Sequence, residues 1–253
     1  MFYTRLPVPG WVGAGYSPEK LNRATVFFPL IGWLVGGLTA AVYGGAALLW
    51  PPVVALLLST VAGILLTGAF HEDGLADVCD GLGGGWTTAR ILEIMKDSRV
   101  GTYGLVGLSL TLAAKVAALH TAATGHPAWG VSVPALLLVA HPLSRLTALG
   151  LIGWLPYARL DQADAKAKPI AQGLTARQFA GAAFWGLTPL LALAAWHRQP
   201  ALLLVLVPLV VLHLVLGRWF RRWLQGYTGD CLGATQQLAE VTIYLFLVAG
   251  SGG

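Results

Sequence analysis

Charged side chains are scarce in this sequence, at 11% of 253 residues, against roughly 25% in an ordinary soluble domain. That excludes a water-soluble globule, because too little polar surface exists to wrap one. Cysteine is nearly absent as well, with two in the chain. Cys79 and Cys231 each fall in a charged segment, which fits reduced thiols on a cytosolic face and excludes a disulfide framework. The opening residues, Met1-Phe2-Tyr3-Thr4-Arg5-Leu6-Pro7, lack the charged, apolar, small-residue order of a removable signal peptide, so the first membrane helix is expected to serve as its own targeting signal. Nor does the hydropathy show an inverted repeat, which counts against a secondary transporter.

What the chain has instead is apolar length. Hydrophobic residues make up 56% of it, and the mean hydropathy is +0.69. Backbone groups in hydrocarbon must be satisfied within their own segment, so each apolar run is expected to be a helix. The sequence therefore predicts an all-α, polytopic integral membrane bundle forming a single transmembrane domain over residues 1–253. Seven spans are expected, at roughly 26–49, 53–70, 101–120, 131–154, 178–196, 201–217 and 235–250. Trp50-Pro51-Pro52 and His197-Arg198-Gln199-Pro200 read as tight links that force antiparallel neighbours.

Charge placement predicts the orientation. With a cytoplasmic N-terminus, the cytoplasmic segments hold Arg5, Lys20, Arg23, Arg90, Lys96, Arg99, Arg159, Lys166, Lys168, Arg177, Arg218, Arg221 and Arg222, and the opposite side holds Arg198 alone. The positive-inside rule expects that imbalance. It also accounts for the net charge of +5 without invoking nucleic acid, which is not expected as a partner. Every acid but Glu240 falls on the same face. Acids do not set topology, so their one-sidedness needs another cause.

Two cytoplasmic segments carry the candidate chemistry, residues 71–100 and 226–235. In the first, Asp73, Asp77 and Asp80 recur at i, i+4 and i+7, within about a 60° sector of a helix. Such a stripe of like charge is expected to hold something positive, and a hard divalent cation with oxygen ligands, Mg²⁺ above all, meets that need while bridging phosphate. A solvated acidic face is the plain alternative. Gly81-Leu82-Gly83-Gly84-Gly85 then reads as a break in the helix, followed by an amphipathic stretch Arg90–Arg99 with Glu93 and Asp97 at i, i+4. Across such a hinge two carboxylate groups would hold cations, and Arg90, Lys96 and Arg99 would grip phosphate oxygens; an interfacial helix with internal salt bridges is the rival reading. In the second segment Gly226-Tyr227-Thr228-Gly229-Asp230 opens the last span, where free N–H groups and a positive dipole end suit phosphate. Asp230 would add a metal ligand or a base there, unless it or Thr228 is a simple N-cap. His71 precedes the stripe as a structural hydrogen-bonding group or a substrate contact. Within the spans, Lys115, His141, Arg145 and Glu240 are functional candidates by their depth alone; the plain alternatives are a Lys115 that snorkels to the surface and a Glu240 near enough to it to be wet.

These motifs resemble a known family. His71-x-Asp73-Gly74-Leu75-Ala76-Asp77-x-x-Asp80-Gly81, the run Leu92-Glu93-Ile94-Met95-Lys96-Asp97-Ser98-Arg99-x-Gly101-Thr102-x-Gly104, and Thr228-Gly229-Asp230-x-Leu232-Gly233-Ala234 are similar to the signatures of cobalamin synthases, the adenosylcobinamide-GDP ribazoletransferases. Thr4-Arg5-Leu6-Pro7-Val8-Pro9, Phe28-Pro29-Leu30-Ile31-Gly32 and Pro156-Tyr157-Ala158-Arg159 extend the likeness over nearly the whole chain. The resemblance implies an inner-membrane, multi-pass transferase facing the cytoplasm. It would join adenosylcobinamide-GDP to α-ribazole or its 5′-phosphate, release GMP and use Mg²⁺. Asp73, Asp77 and Asp80 match the family's acidic motif, whereas Glu72 stands where an apolar residue is common.

With that chemistry in view, Asp73, Asp77, Asp80 and Asp97 are expected to hold Mg²⁺ with help from Glu93. Arg90, Lys96 and Arg99 would bind the diphosphate, and Asp230 or His71 would take the hydroxyl proton. The expected partners are these small molecules and membrane lipid, with homo-oligomerisation left open; whether residues 157–175 close as a lid is open too. A CDP-alcohol phosphotransferase is the second reading, but its D-x-x-D-G-x-x-A-R spacing is missing here. A cation transporter ranks third, since its sites tend to lie near the midplane.

Overall fold

The computed structural model describes residues 4–5, 18–125, 129–158 and 173–249. Among these residues ten α-helices follow in chain order: α1 Pro18–Ala24, α2 Phe28–Ala46, α3 Pro52–Thr67, α4 Phe70–Gly84, α5 Thr88–Ile94, α6 Thr102–Thr124, α7 Val133–Trp154, α8 Ala176–His197, α9 Leu206–Leu224 and α10 Gly229–Val248. Short 3-10 turns, Thr25–Phe27 and Pro200–Val205, lead into α2 and α9. Among the described residues there is no strand, and one isolated bridge joins Tyr157 to Tyr227. Parts of the orientation reading, Arg159, Asp161, Asp164, Lys166 and Lys168, and most of the 157–175 segment lie outside the described residues.

Among the described residues six stretches are long and apolar enough to cross a membrane, and a seventh is reached if the bent pair α3–α4 counts as one span. Six of the seven expected runs are met in this way, and the expected 53–70 corresponds to α3, which reaches the required length only together with α4. Prolines start α3 and α7 within the first two positions, where the missing N–H has no intrahelical partner to lose. The bundle is layered. α7 forms its axis, with Leu136, Leu143, Leu149 and Leu151 fully buried, and α10 lies beside it. α6, α8 and α9 turn Leu105, Leu110, Leu191, Val207 and Val211 outward, as a lipid-facing layer does without a water-facing polar face.

Small residues set the closest approaches. A Cβ on Gly32 of α2 would lie 2.6 Å from the backbone nitrogen of Pro142 on α7, and one on Gly36 would lie 2.8 Å from the carbonyl oxygen of Leu137. Bare glycine lets the two backbones touch, which substitutes for hydrophobic drive in lipid. Trp50 and Trp196, both exposed, flank the two tight links, in keeping with an aromatic belt at the membrane face opposite α4.

One element departs from the bundle direction. α4 leaves α3 at 89°, and two consecutive left-handed residues, Gly68 at φ 72° and Ala69 at φ 59°, make the corner. Glycine adopts that region freely and alanine does not, so only one of the two positions is unstrained. The backbone N–H of Arg5 donates to the Leu66 carbonyl at 2.8 Å, tying the chain start to this elbow. Thereafter α4 runs across the N-terminal ends of α10 and α6.

Candidate active site at the crossing of α4 and α10

Where α4 meets α10, both helices present glycine. A Cβ on Gly74 would fall 2.9 Å from Asp230 Cα, and one on Gly233 would fall 3.1 Å from the His71 carbonyl oxygen. This backbone contact lays Asp230 against the turn of α4 that carries Asp73 and Asp77. Asp73 is exposed, while Asp77 and Asp230 are half-buried. The sequence placed the two acidic segments on one face of the membrane, and the fold joins them.

Asp230 belongs to the first turn of α10, whose N-cap is Thr228; the Thr228 hydroxyl accepts from Cys231 N and approaches Asp230 Oδ2 at 3.2 Å. Just upstream, Tyr227 N donates to the Pro156 carbonyl and Ala158 N donates to the Tyr227 carbonyl, each at 2.9 Å. Two of the motifs singled out in the sequence are thereby zipped together. Burial, and then the neighbouring Tyr157 ring, raise the Tyr227 hydroxyl well above the ordinary phenol range, so Tyr227 remains neutral.

At the other end of α4, Asp80 caps α6. Its Oδ2 accepts from Gly101 N at 2.7 Å and its Oδ1 from Gly104 N at 2.8 Å. Charge-assisted bonds to a helix N-terminus satisfy donors that the helix itself cannot. Side chains at Gly101 or Gly104 would run into that carboxylate, so the glycines belong to the cap.

Two sequence expectations need correction here. The glycine run does not break α4, which continues through Gly84. Its glycines serve close packing: a Cβ on Gly81 would meet Met95 Cγ at 2.5 Å, and one on Gly83 would meet the Tyr103 ring. The Arg90–Arg99 stretch is not one amphipathic helix either, because α5 ends at Ile94. Asp97 lies past that end, and its carboxylate turns to Arg99, at 3.0 Å from Nε. Hydrogen bonds from Arg99 pull the Asp97 carboxyl down to about 2 and hold the guanidinium above its usual value.

The five carboxylates read as metal ligands are thus divided. Asp73 and Asp77 share the α4 face beside Asp230, and Asp80 is engaged by amides. Glu93 pairs with Arg90 at 2.8 Å. Asp80, Arg90, Glu93, Asp97 and Arg99 line one open cleft of about 640 Å³, and Lys96 is exposed beside it. Among the described residues no three acidic, histidine or cysteine side chains converge as a metal-binding group. Carboxylate oxygen is still the donor type Mg²⁺ prefers, and that ion is commonly held by one or two carboxylates with phosphate oxygens and water completing its shell. Asp73 and Asp77 fit that requirement.

His71 faces inward, 3% exposed, against the rings of Phe28 and Phe70. It is not at the cleft. Lys115 and Glu240, for which surface positions were weighed, are buried; Lys115 forms an ion pair with Glu240, and His141 Nδ1 lies against the same carboxylate. Sequence reasoning noted Glu72 only as an unusual charge and passed over the other partners of this interior network, Ser144, Gln236 and Gln237. The signal was there: Gln237 and Glu240, three apart in an otherwise apolar span, share a helix face.

The family profile described as Cobalamin-5-phosphate synthase matches residues 1–248. The chain is 44% identical to the adenosylcobinamide-GDP ribazoletransferase of Leptothrix cholodnii, with 98% of this chain and 92% of that protein aligned. It is 44% identical to that of Shewanella frigidimarina, over 98% and 91%, and 42% identical to that of Vibrio cholerae, over 98% and 90%. No solved structure matches it. With the profile covering almost every residue and full-length relatives at this identity, the chain belongs to the cobalamin-5-phosphate synthase family.

Proposed function

We propose that this multi-pass membrane protein transfers the adenosylcobinamide-phosphate group from adenosylcobinamide-GDP to α-ribazole or its 5′-phosphate, releasing GMP, at the cytoplasmic face of the inner membrane. The observation that carries this reading is the Gly74–Asp230 contact, which brings acids from both motif segments together on α4, the helix whose other end, at Asp80, borders a cleft lined with arginine.

In the reaction a ribose hydroxyl oxygen attacks the corrinoid-side phosphorus of the diphosphate. The bond from that phosphorus to the bridging oxygen breaks, and GMP leaves with the electron pair. Asp230 is the base that accepts the hydroxyl proton. It is half-buried at a helix N-terminus, and His71 is turned into the interior. Arg90 and Arg99 bind the non-bridging phosphate oxygens. Their present partners are exposed pairs, and such pairs cost little to open in exchange for phosphate. Asp73 and Asp77 would hold Mg²⁺, which when bound supplies positive charge against the charge that builds on the diphosphate.

The test is turnover of purified, reconstituted protein with adenosylcobinamide-GDP and α-ribazole, followed by GMP release. Asp73→Asn is expected to lose roughly 10²-fold or more in kcat together with its response to Mg²⁺. Unchanged turnover and metal response in that variant would sink the metal assignment. A CDP-alcohol in place of the GDP-activated corrinoid is expected to give no product; turnover with it would favour the rival phosphotransferase reading.

A further inference from the structure

Beneath the crossing of α4 and α10, enclosed by the surrounding spans, lies a polar chamber lined by Glu72, Lys115, His141, Arg145, Gln237 and Glu240. Ionisable groups at such depth are costly unless each is matched. Gln237, 2% exposed, is the hub. Its Oε1 accepts from Lys115 Nζ at 2.8 Å, and its Nε2 donates to Glu72 Oε1 at 2.8 Å and to Gln236 Oε1 at 3.0 Å. The chemistry of the neighbours dictates this amide orientation. An ammonium only donates and a carboxylate only accepts, so a flipped Gln237 would oppose N–H to Nζ and oxygen to oxygen.

Gln237 therefore links a cation on α6 to an anion on α4 from its own place on α10. Two facts tie this relay to the site above it. Glu72 immediately precedes Asp73, and Gln237 follows Asp230 by two helical turns, about 10 Å along α10. The Gly74–Asp230 contact fixes where the helices cross, while the Glu72–Gln237 bond fixes how far α4 is rotated and slid at that point.

We infer that Glu72 and Gln237 are positioning residues, whose buried hydrogen bond, anchored by Lys115, sets the register of Asp73 and Asp77 against Asp230. The inference rests on the transferase reading of those three acids. A register held in this way acts on the chemical step and leaves substrate capture at the cleft unaltered.

The experiment is a polarity swap in the full-length reconstituted protein. Gln237→Glu alone puts two carboxylates face to face. It is expected to lower kcat roughly 100-fold per folded molecule, with KM for both substrates within about twofold. Adding Glu72→Gln re-creates the donor–acceptor pair between α4 and α10 and leaves Lys115 a carboxylate to meet, so that the bond to Gln236 Oε1 is the one contact not restored. The double variant is expected to regain kcat to within about fivefold of wild type. Nitroxides on Gly84→Cys and Leu245→Cys, with Cys79 and Cys231 replaced, should give one narrow distance in wild type and in the double variant, and a broadened one in Gln237→Glu. Should Gln237→Glu misfold, the double variant still decides. If it folds with normal KM but remains as slow as inactive protein, the positioning role is wrong. It is equally wrong if Gln237→Glu keeps wild-type kcat, or if the nitroxide distance does not respond. Wild-type protein without any transfer activity would instead overturn the transferase reading, while the distance measurement would still judge the register.

Discussion

Asp80 and Asp97 show how one residue type does different work on the walls of a single cleft. Asp80 is committed on both oxygens to the α6 N-terminus. Its replacement by alanine is expected to cost about 1–2 kcal/mol, read as a lower midpoint in detergent-solubilised thermal unfolding. Asp97 instead belongs to Arg99. Its carboxyl is depressed to about 2, below the unfolded value near 3.9. Its contribution to the turn is thus fully present above about pH 4 and is lost only as pH falls through about 2. Carboxyl NMR should show Asp97 titrating near that lower value, and Arg99→Ala should return it to the ordinary range. Neither assignment was legible in the sequence. The stripe of aspartates was visible, but spacing cannot say that Gly101 and Gly104 supply the amides Asp80 meets. Glu72 was visible as an odd charge, and only the fold supplies Gln237 to match it.

At the scale of helices, spans were the most readable feature. Each must close its own hydrogen bonds in lipid, so apolar length alone nearly defines it, and the expected 131–154 became Val133–Trp154. The glycine run from Gly81 was misread as a break because composition does not distinguish a hinge from a contact. Gly74, Gly81 and Gly83 remain helical, since each faces a neighbour that leaves no room for a side chain. Gly74→Ala pushes a methyl to 2.9 Å from the Asp230 backbone. Overpacking of this kind costs about 1–3 kcal/mol and moves Asp230, so kcat should fall more than stability. A parallel measurement of turnover and unfolding midpoint checks this. Wild-type turnover in Gly74→Ala would mean the crossing does not need to be so close.

For the molecule as a whole, one-sided charge predicts both orientation and the place of the chemistry. A cysteine in place of Trp196 should react with a membrane-impermeant maleimide in intact cells, whereas one in place of Trp86 should react only after permeabilisation. The reverse pattern would invert the topology and put the α4 acids on the wrong side for water-borne cytoplasmic substrates.

The right-angled corner at Gly68 and Ala69 has a wider consequence. Because α4 rests on the ends of α6 and α10, the groups proposed to react are mounted on struts whose tilt responds to the thickness of the surrounding lipid. Bilayers thinner or thicker than those struts would lean them and shear one carboxylate group past the other. Turnover in vesicles of graded acyl-chain length should pass through an optimum, which makes the lipid a mechanical part of the enzyme as well as its solvent.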